Sequence, residues 1–182
     1  RSVSVEDESG GTVSVPLETD YAYNAFGDLL SISYSDNATP SVSNAYDALG
    51  RLVSTTDVSG SNVKTYTAYG EIATESNASL GTELEISYDA CGRETGSILS
   101  RGGAAIATFG QSYEATTGRL ASAAFGTNSF AYSYLGNTGL VSGMTTANGA
   151  AVKSISFEAN RDLPTEIKYQ TAGENPVLIA KR

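Results

Sequence analysis

The chain has 182 residues, 20 acidic against 11 basic side chains, a net charge of −9, a single cysteine, and neither histidine nor tryptophan. An acidic chain lacks the cationic footprint of a duplex-binding protein, and without histidine it has no Ser-His or Cys-His nucleophile pair and lacks the commonest zinc ligand. Cys91 alone cannot form an internal disulfide or a Cys-rich metal site, no run approaches the roughly 18 apolar residues of a membrane span, and a chain opening on Arg1 with no visible signal peptide reads as a mature or excised segment.

The first element expected is an acidic hairpin within residues 1–20, in which Val3, Val5, Val13 and Val15 alternate around the turn signal Glu8-Ser9-Gly10-Gly11. Residues 21–164 then repeat one motif: an aromatic, a small polar or acidic residue, a turn, glycine, a charge and an aliphatic. It reads Tyr23-Asn24-Ala25-Phe26-Gly27-Asp28-Leu29, then Tyr46-Asp47-Ala48-Leu49-Gly50-Arg51-Leu52, Tyr66-Thr67-Ala68-Tyr69-Gly70-Glu71-Ile72 and Tyr88-Asp89-Ala90-Cys91-Gly92-Arg93-Glu94. The fifth copy, from Tyr113 through Glu114 and Gly118 to Arg119 and Leu120, is one residue longer. The sixth, Tyr134 to Leu140, is degenerate, and the seventh, Phe157 to Leu163, lacks both tyrosine and glycine. The leading aromatics stand 23, 20, 22, 25, 21 and 23 residues apart. A fixed period of this kind marks a repeat architecture.

Each motif predicts a hairpin turn. Asp47 opens a type I turn and accepts backbone N–H groups with its carboxylate. Gly50 takes the left-handed conformation that follows and forms the bulge closing the hairpin. Tyr46 ends the incoming strand, Leu52 begins the outgoing one, and Arg51 between them is expected to face water. In the seventh copy Asn160 or Arg161 must serve where glycine is missing, with Asn the better left-handed residue. The flanks alternate as strands do: Leu84, Ile86 and Tyr88 on one face; Phe130, Tyr132 and Tyr134; Ile155 and Phe157; and Leu30, Ile32 and Tyr34 after the first turn. Second turns are signalled at Ser59-Gly60-Ser61-Asn62, Arg101-Gly102-Gly103 and Asn148-Gly149, and no segment has a helical period. Residues 165–182 complete the array with C-terminal strands. There the apolar run Val177-Leu178-Ile179-Ala180 is either a last strand covered on both faces or an edge that pairs with another chain.

Val, Ile, Leu and Phe number 37 and Ser plus Thr 43, a composition at the edge of disorder. The eleven tyrosines and many β-branched residues suit a half-buried sheet instead. The fold class expected is all-β: tandem hairpins of about 22 residues in one continuous, twisted antiparallel sheet, with no linker dividing residues 1–182 into two domains.

Tyr46-Asp47-Ala48-Leu49-Gly50-Arg51-Leu52, with the similar runs at Tyr23, Tyr88 and Tyr113, resembles the signature of the RHS or YD-repeat family over about residues 20–170. The resemblance implies hairpins joined side by side in a long spiralling sheet of large cell-surface or secreted proteins. In bacterial toxin systems such a sheet closes around a toxic C-terminal domain; in teneurins a similar shell displays adhesion surfaces. This chain departs from that pattern: seven repeats give about fourteen strands, fewer than a shell, with no self-cleaving core segment or toxin domain following.

The repetition of each carboxylate assigns Asp and Glu to turn capping rather than to the paired carboxylates of a glycosidase, which need occur once. The tyrosines form structural ladders rather than a sugar-stacking surface. Cys91, placed where Phe26, Leu49 and Tyr69 stand, is a small turn or core residue. Glu6-Asp7-Glu8 lacks the spaced oxygens of a calcium loop, and Asn37-Ala38-Thr39 and Asn77-Ala78-Ser79 are glycosylation sequons of the kind chance produces in a Ser/Thr-rich chain. Catalytic, cofactor-binding and metal sites: none is assigned. The function expected is a non-enzymatic extracellular or cell-surface scaffold, forming part of a shell, wall or self-assembling fibre. Its partners would be itself, through its sheet edges, or further repeats. The alternatives are a glycan- or surface-protein-binding adhesion module and a fragment of a toxin-encapsulating shell.

Overall fold

The structure is a computed structural model that describes residues 2–6, 12–36, 38–147, 150–171 and 177–181. Every regular element among them is a strand. β1 (Ser2–Glu6) and β2 (Thr12–Pro16) pair antiparallel as a sheet of their own, with Val3 opposite Val15 and Val5 opposite Val13. This is the acidic hairpin expected at the start; its turn signal lies outside the described residues.

The seven motif turns join seven strand pairs. They are β3 (Thr19–Tyr23) with β4 (Leu29–Tyr34), β5 (Val42–Tyr46) with β6 (Leu52–Asp57), β7 (Gly60–Tyr66) with β8 (Ile72–Asn77), and β9 (Thr82–Tyr88) with β10 (Glu94–Arg101). Then come β11 (Ala104–Tyr113) with β12 (Leu120–Phe125), β13 (Asn128–Tyr134) with β14 (Val141–Thr146), and β15 (Val152–Phe157) with β16 (Pro164–Gln170). β17 (Leu178–Lys181) follows. Strand order is chain order, so β3 and β17 are the two terminal strands of a 15-stranded sheet.

Contacts divide the chain into two compact units, Arg1–Glu85 with Ser100–Ala104, and Ile86–Leu99 with Ala105–Arg182. The first holds three motif turns and the second four. In the first unit polar side chains pair across strands: Ser54 with Ser61 at 2.9 Å, Thr65 with Thr74 at 2.7 Å, and Asn77, whose amide donates to Asn62 Oδ1 at 3.0 Å. In the second, Ser112 pairs with Ser122 at 2.7 Å. Such cross-strand pairs are where a Ser/Thr-rich sheet draws stability.

The strands alternate as expected. Leu84, Ile86 and Tyr88 in β9 are half-buried while Glu85 and Ser87 are exposed, and Phe130, Tyr132 and Tyr134 in β13 alternate with exposed Ala131 and Ser133. No apolar side chain among the described residues is fully buried. The half-buried apolar face follows from the pleat, which sends alternate side chains to opposite faces.

A register shift accompanies six motif turns. Tyr46 faces Leu52 but Ala45 faces Ser54, leaving Val53 over, and Leu30, Ala73, Ala121, Ser142 and Thr165 are left over in the same way beside the first, third, fifth, sixth and seventh turns. The shift at Leu30 explains why it is more exposed than Ile32 and Tyr34, with which alternation groups it. The second turns are tight. Asp57 faces Gly60 across a two-residue connection, and Gly102 and Gly103 both have positive φ, 57° and 79°, as a mirror-image hairpin turn demands. Asn148-Gly149 lies outside the described residues.

Candidate functional site

The motif turns are where charge, aromatic surface and hydrogen-bonding capacity meet. In the second copy the Asp47 N–H donates to the Arg51 carbonyl at 2.9 Å and the Gly50 N–H to the Asp47 carbonyl at 3.0 Å. Asp47 Oδ1 accepts the N–H groups of Leu49 and Arg51, each at 2.9 Å. Gly50 has φ 77°, with no atom within 4 Å of where a Cβ would stand, so the backbone angle alone selects glycine there. Asp89 repeats these bonds with Cys91 at 2.8 Å and Arg93 at 3.0 Å.

Arg51 does not face water. Its Nε donates to Asp47 Oδ2 at 2.7 Å, its Nη2 lies 2.7 Å from the same carboxylate oxygen, and its side chain keeps 31% exposure. The guanidinium lies over the ring of Tyr66, the leading tyrosine of the next copy, 4.4 Å from its centre. Arg93 stands over Tyr113 at 4.1 Å and Arg119 over Tyr134 at 4.4 Å, while each pairs with the acid of its own turn, Asp89 or Glu114. The correction has a physical cause. Adjacent strands are about 4.8 Å apart, so neighbouring motif turns lie within reach of a long side chain, and the planar cation gains both a carboxylate and a π face.

The tyrosine completes the tether. Tyr46, Tyr66, Tyr113 and Tyr134 donate their hydroxyls to the carbonyls of Leu29, Leu52, Glu94 and Leu120, at 3.0, 2.6, 3.0 and 2.7 Å. Each acceptor is the residue that opens the outgoing strand of the preceding turn. Arg93 Nη1 also donates to the Gly118 carbonyl at 3.1 Å, and Arg119 Nη1 to the Gly136 carbonyl at 3.0 Å. Acid, arginine, tyrosine and carbonyl thus link one hairpin to the next.

The electrostatics agree. The Arg51 amide and guanidinium hold the Asp47 carboxyl below its usual range. The Arg93 guanidinium, then its amide, does the same for Asp89, and the Arg119 guanidinium with the Thr117 hydroxyl for Glu114. A carboxylate kept ionised, bound by the N–H groups of its own turn and by an arginine, caps that turn.

Other copies use other chemistry on the same turn. Asn24 Oδ1 accepts the N–H groups of Phe26 and Asp28 at 2.9 Å each, and its amide donates to Asp28 Oδ2 at 2.8 Å. Thr67 donates its hydroxyl to Glu71. The seventh turn closes through Glu158 N–H to the Leu163 carbonyl at 3.0 Å, and Arg161 pairs with Glu158 at 2.6 Å.

Cys91 is a turn residue and exposed, so the core option for it is set aside. The turn tips Phe26, Leu49 and Tyr69 are 92, 78 and 90% exposed. Of the sequon residues, Asn77 is 2% exposed with its amide engaged by Asn62, so that nitrogen is not presented to solvent; Asn37 lies outside the described residues. Asp7 and Glu8 also lie outside them, and no group of three or more metal-ligating side chains occurs among those described. The residues that sequence reasoning missed are the arginines as inter-repeat tethers. Their signal was available: Arg occupies the charge position where Asp or Glu occupies the capping position, at Asp47/Arg51, Asp89/Arg93 and Glu114/Arg119.

No protein-family model and no curated protein matches the chain. Among solved structures, the Tc holotoxin pore of Photorhabdus luminescens aligns with 87% of this chain at a TM-score of 0.61 and 16% identity. The chain spans 9% of the length of that one. A porin-like protein from Bacteroides uniformis aligns over 97% of this chain and 91% of its own, at 11% identity and a TM-score of 0.39 that carries no argument. The repeats, the turns and the first of these alignments together define an RHS/YD-type repeat fold.

Proposed function

We propose that the chain is a non-enzymatic scaffold, a stretch of RHS/YD-type wall that acts extracellularly or at a cell surface. The observation that carries this reading is the tether. At the second, fourth and fifth turns the acid that would otherwise suggest a site is engaged, through its arginine, in linking that hairpin to the tyrosine of a following one. The likeness to part of a much longer toxin-pore chain supports the same reading. A broad esterase, glycosidase and protease panel tests it. No turnover is expected, and turnover that vanishes on a single Asp or Glu substitution overturns it.

The partners that fit such a wall are further repeats or copies of the chain itself, joined at the terminal strands. β17 pairs with β16 through Lys168–Lys181, Tyr169–Ala180 and Gln170–Leu178, and at the other end every residue of β3 is exposed. A terminal strand carries unpaired backbone groups that invite another strand. Removing residues 176–182 should preserve the β signature by circular dichroism and abolish assembly by light scattering. A full-length chain that stays a monodisperse monomer at high concentration refutes the end-to-end joint. The exposed Phe26 and Tyr69 favour a second reading, adhesion to glycans or a surface protein. Binding on a carbohydrate array would support it; a flat array favours the scaffold.

A further inference from the structure

The repeats provide their own standard for what belongs between one motif turn and the next. Behind Tyr66, Tyr113 and Tyr134 the preceding copy supplies a guanidinium, 4.4, 4.1 and 4.4 Å from the ring centre, held by a carboxylate. Behind Tyr46 the preceding copy supplies Asp28. The Tyr46 hydroxyl still donates to the Leu29 carbonyl, as its sisters do, yet no ion pair of Asp28 and no cation over Tyr46 occurs among the described residues.

A cleft of about 500 Å³ lies at this position, lined among others by Asn24, Phe26, Asp28, Tyr46, Leu49 and Gly50. It offers a π face, the Asp28 carboxylate and apolar walls. Gly50 corresponds to Gly118, whose carbonyl receives Arg93 in the sister turn. Among the described residues no cation is placed there. Residues 2–50 contain eight Asp or Glu and no Lys or Arg, and the first base after them, Arg51, is committed to Asp47 and Tyr66.

We infer that the cleft between the first and second motif turns is a binding site for the guanidinium of an arginine side chain presented by another polypeptide, seated over Tyr46 and paired with Asp28. A planar cation fits better than an ammonium. It can stack on the ring while its fork of N–H donors meets a carboxylate and a turn carbonyl, as Arg93 does in cis. The inference stands apart from the scaffold reading, because an isolated chain can be tested for it.

The test is a titration of the ¹³C,¹⁵N-labelled chain with Nα-acetyl-argininamide. It follows the Tyr46 ring and the amides of Phe26 and Asp28, with the neutral citrulline analogue beside it. Saturable shifts in the millimolar range for the arginine compound alone are expected, weakened about tenfold in Asp28→Asn by loss of a charge-assisted contact. The double variant Asn24→Asp, Asp28→Arg rebuilds the sister pair in cis. It should keep the β signature and a thermal midpoint no lower than that of the parent, and lose the binding. Non-saturating shifts, equal shifts with citrulline, or undiminished binding by the double variant overturn the inference. Sedimentation velocity identifies the source. Self-association that the double variant abolishes assigns the arginine to a second copy; a monomer that binds argininamide assigns it to a different polypeptide.

Discussion

The first two motif turns have the same backbone and different electrostatics. Asn24 and Asp47 each cap two N–H groups, two and four residues ahead, and Gly27 and Gly50 both have positive φ, 90° and 77°. At the charge position Asp28 turns back to the Asn24 amide, whereas Arg51 pairs with Asp47 and reaches across to Tyr66. The difference separates two jobs. Folding the turn needs an acceptor and a glycine; fastening that turn to the next hairpin needs the arginine as well. The first job is done in both copies and the second in one.

The largest expected effect tests what the two turns share. Gly27→Val and Gly50→Val should each destabilise by about 1–3 kcal/mol, because a β-branched residue at positive φ is strained. The cost should be similar for both, since at neither glycine does any atom lie within 4 Å of the position a Cβ would take. Gly139→Ala, open and outside the left-handed region, should stay within about 0.5 kcal/mol. Denaturant midpoints check this series, and a marked inequality between Gly27 and Gly50 would break the shared-backbone half of the comparison.

Next in size is the tether. A double-mutant cycle of Arg51→Met and Tyr66→Leu should return a coupling of about 0.5–1 kcal/mol. The parallel cycle at Asp28 and Tyr46 should return none. Coupling at both, or at neither, removes the distinction between the turns.

Acid provides a finer probe. Asp47, Asp89 and Glu114 have folded-state pKa values lowered by their arginines. Their contribution is therefore full above the unfolded carboxylate range, about 4, and is lost as pH falls through the lower folded values. Asp47→Asn should flatten the loss of stability below about pH 4, and Asn24→Asp should steepen it only when Asp28→Arg is also present. Thermal midpoints across that range measure it, and a profile unchanged by Asp47→Asn would detach the acid sensitivity from the motif.

The smallest effect is expected at Lys64 and Glu75, whose 3.8 Å pair engages no ring. Lys64→Met should shift stability by no more than about 0.5 kcal/mol. A loss as large as the Arg51–Tyr66 coupling would mean that surface charge pairs, rather than stacked ones, hold the repeats together.

The sequence by itself determined the repeat, the seven turns, the strand alternation and the role of Asp47 and Gly50. Each rests on chemistry within about five residues: a side-chain oxygen reaching N–H groups two and four ahead, and a φ that glycine alone adopts without strain. Tertiary structure decided what lies across the sheet. Arg51 reads locally as a surface charge; its fate depends on Tyr66, fifteen positions on and one hairpin away. The same holds for the Tyr46 hydroxyl on the Leu29 carbonyl, for the burial of Asn77 against Asn62, and for the cleft beside Asp28. Strand pairing sets these meetings. Neighbouring motif turns are two strands apart, about 10 Å, a distance that an arginine or a tyrosine spans and that no local pattern encodes.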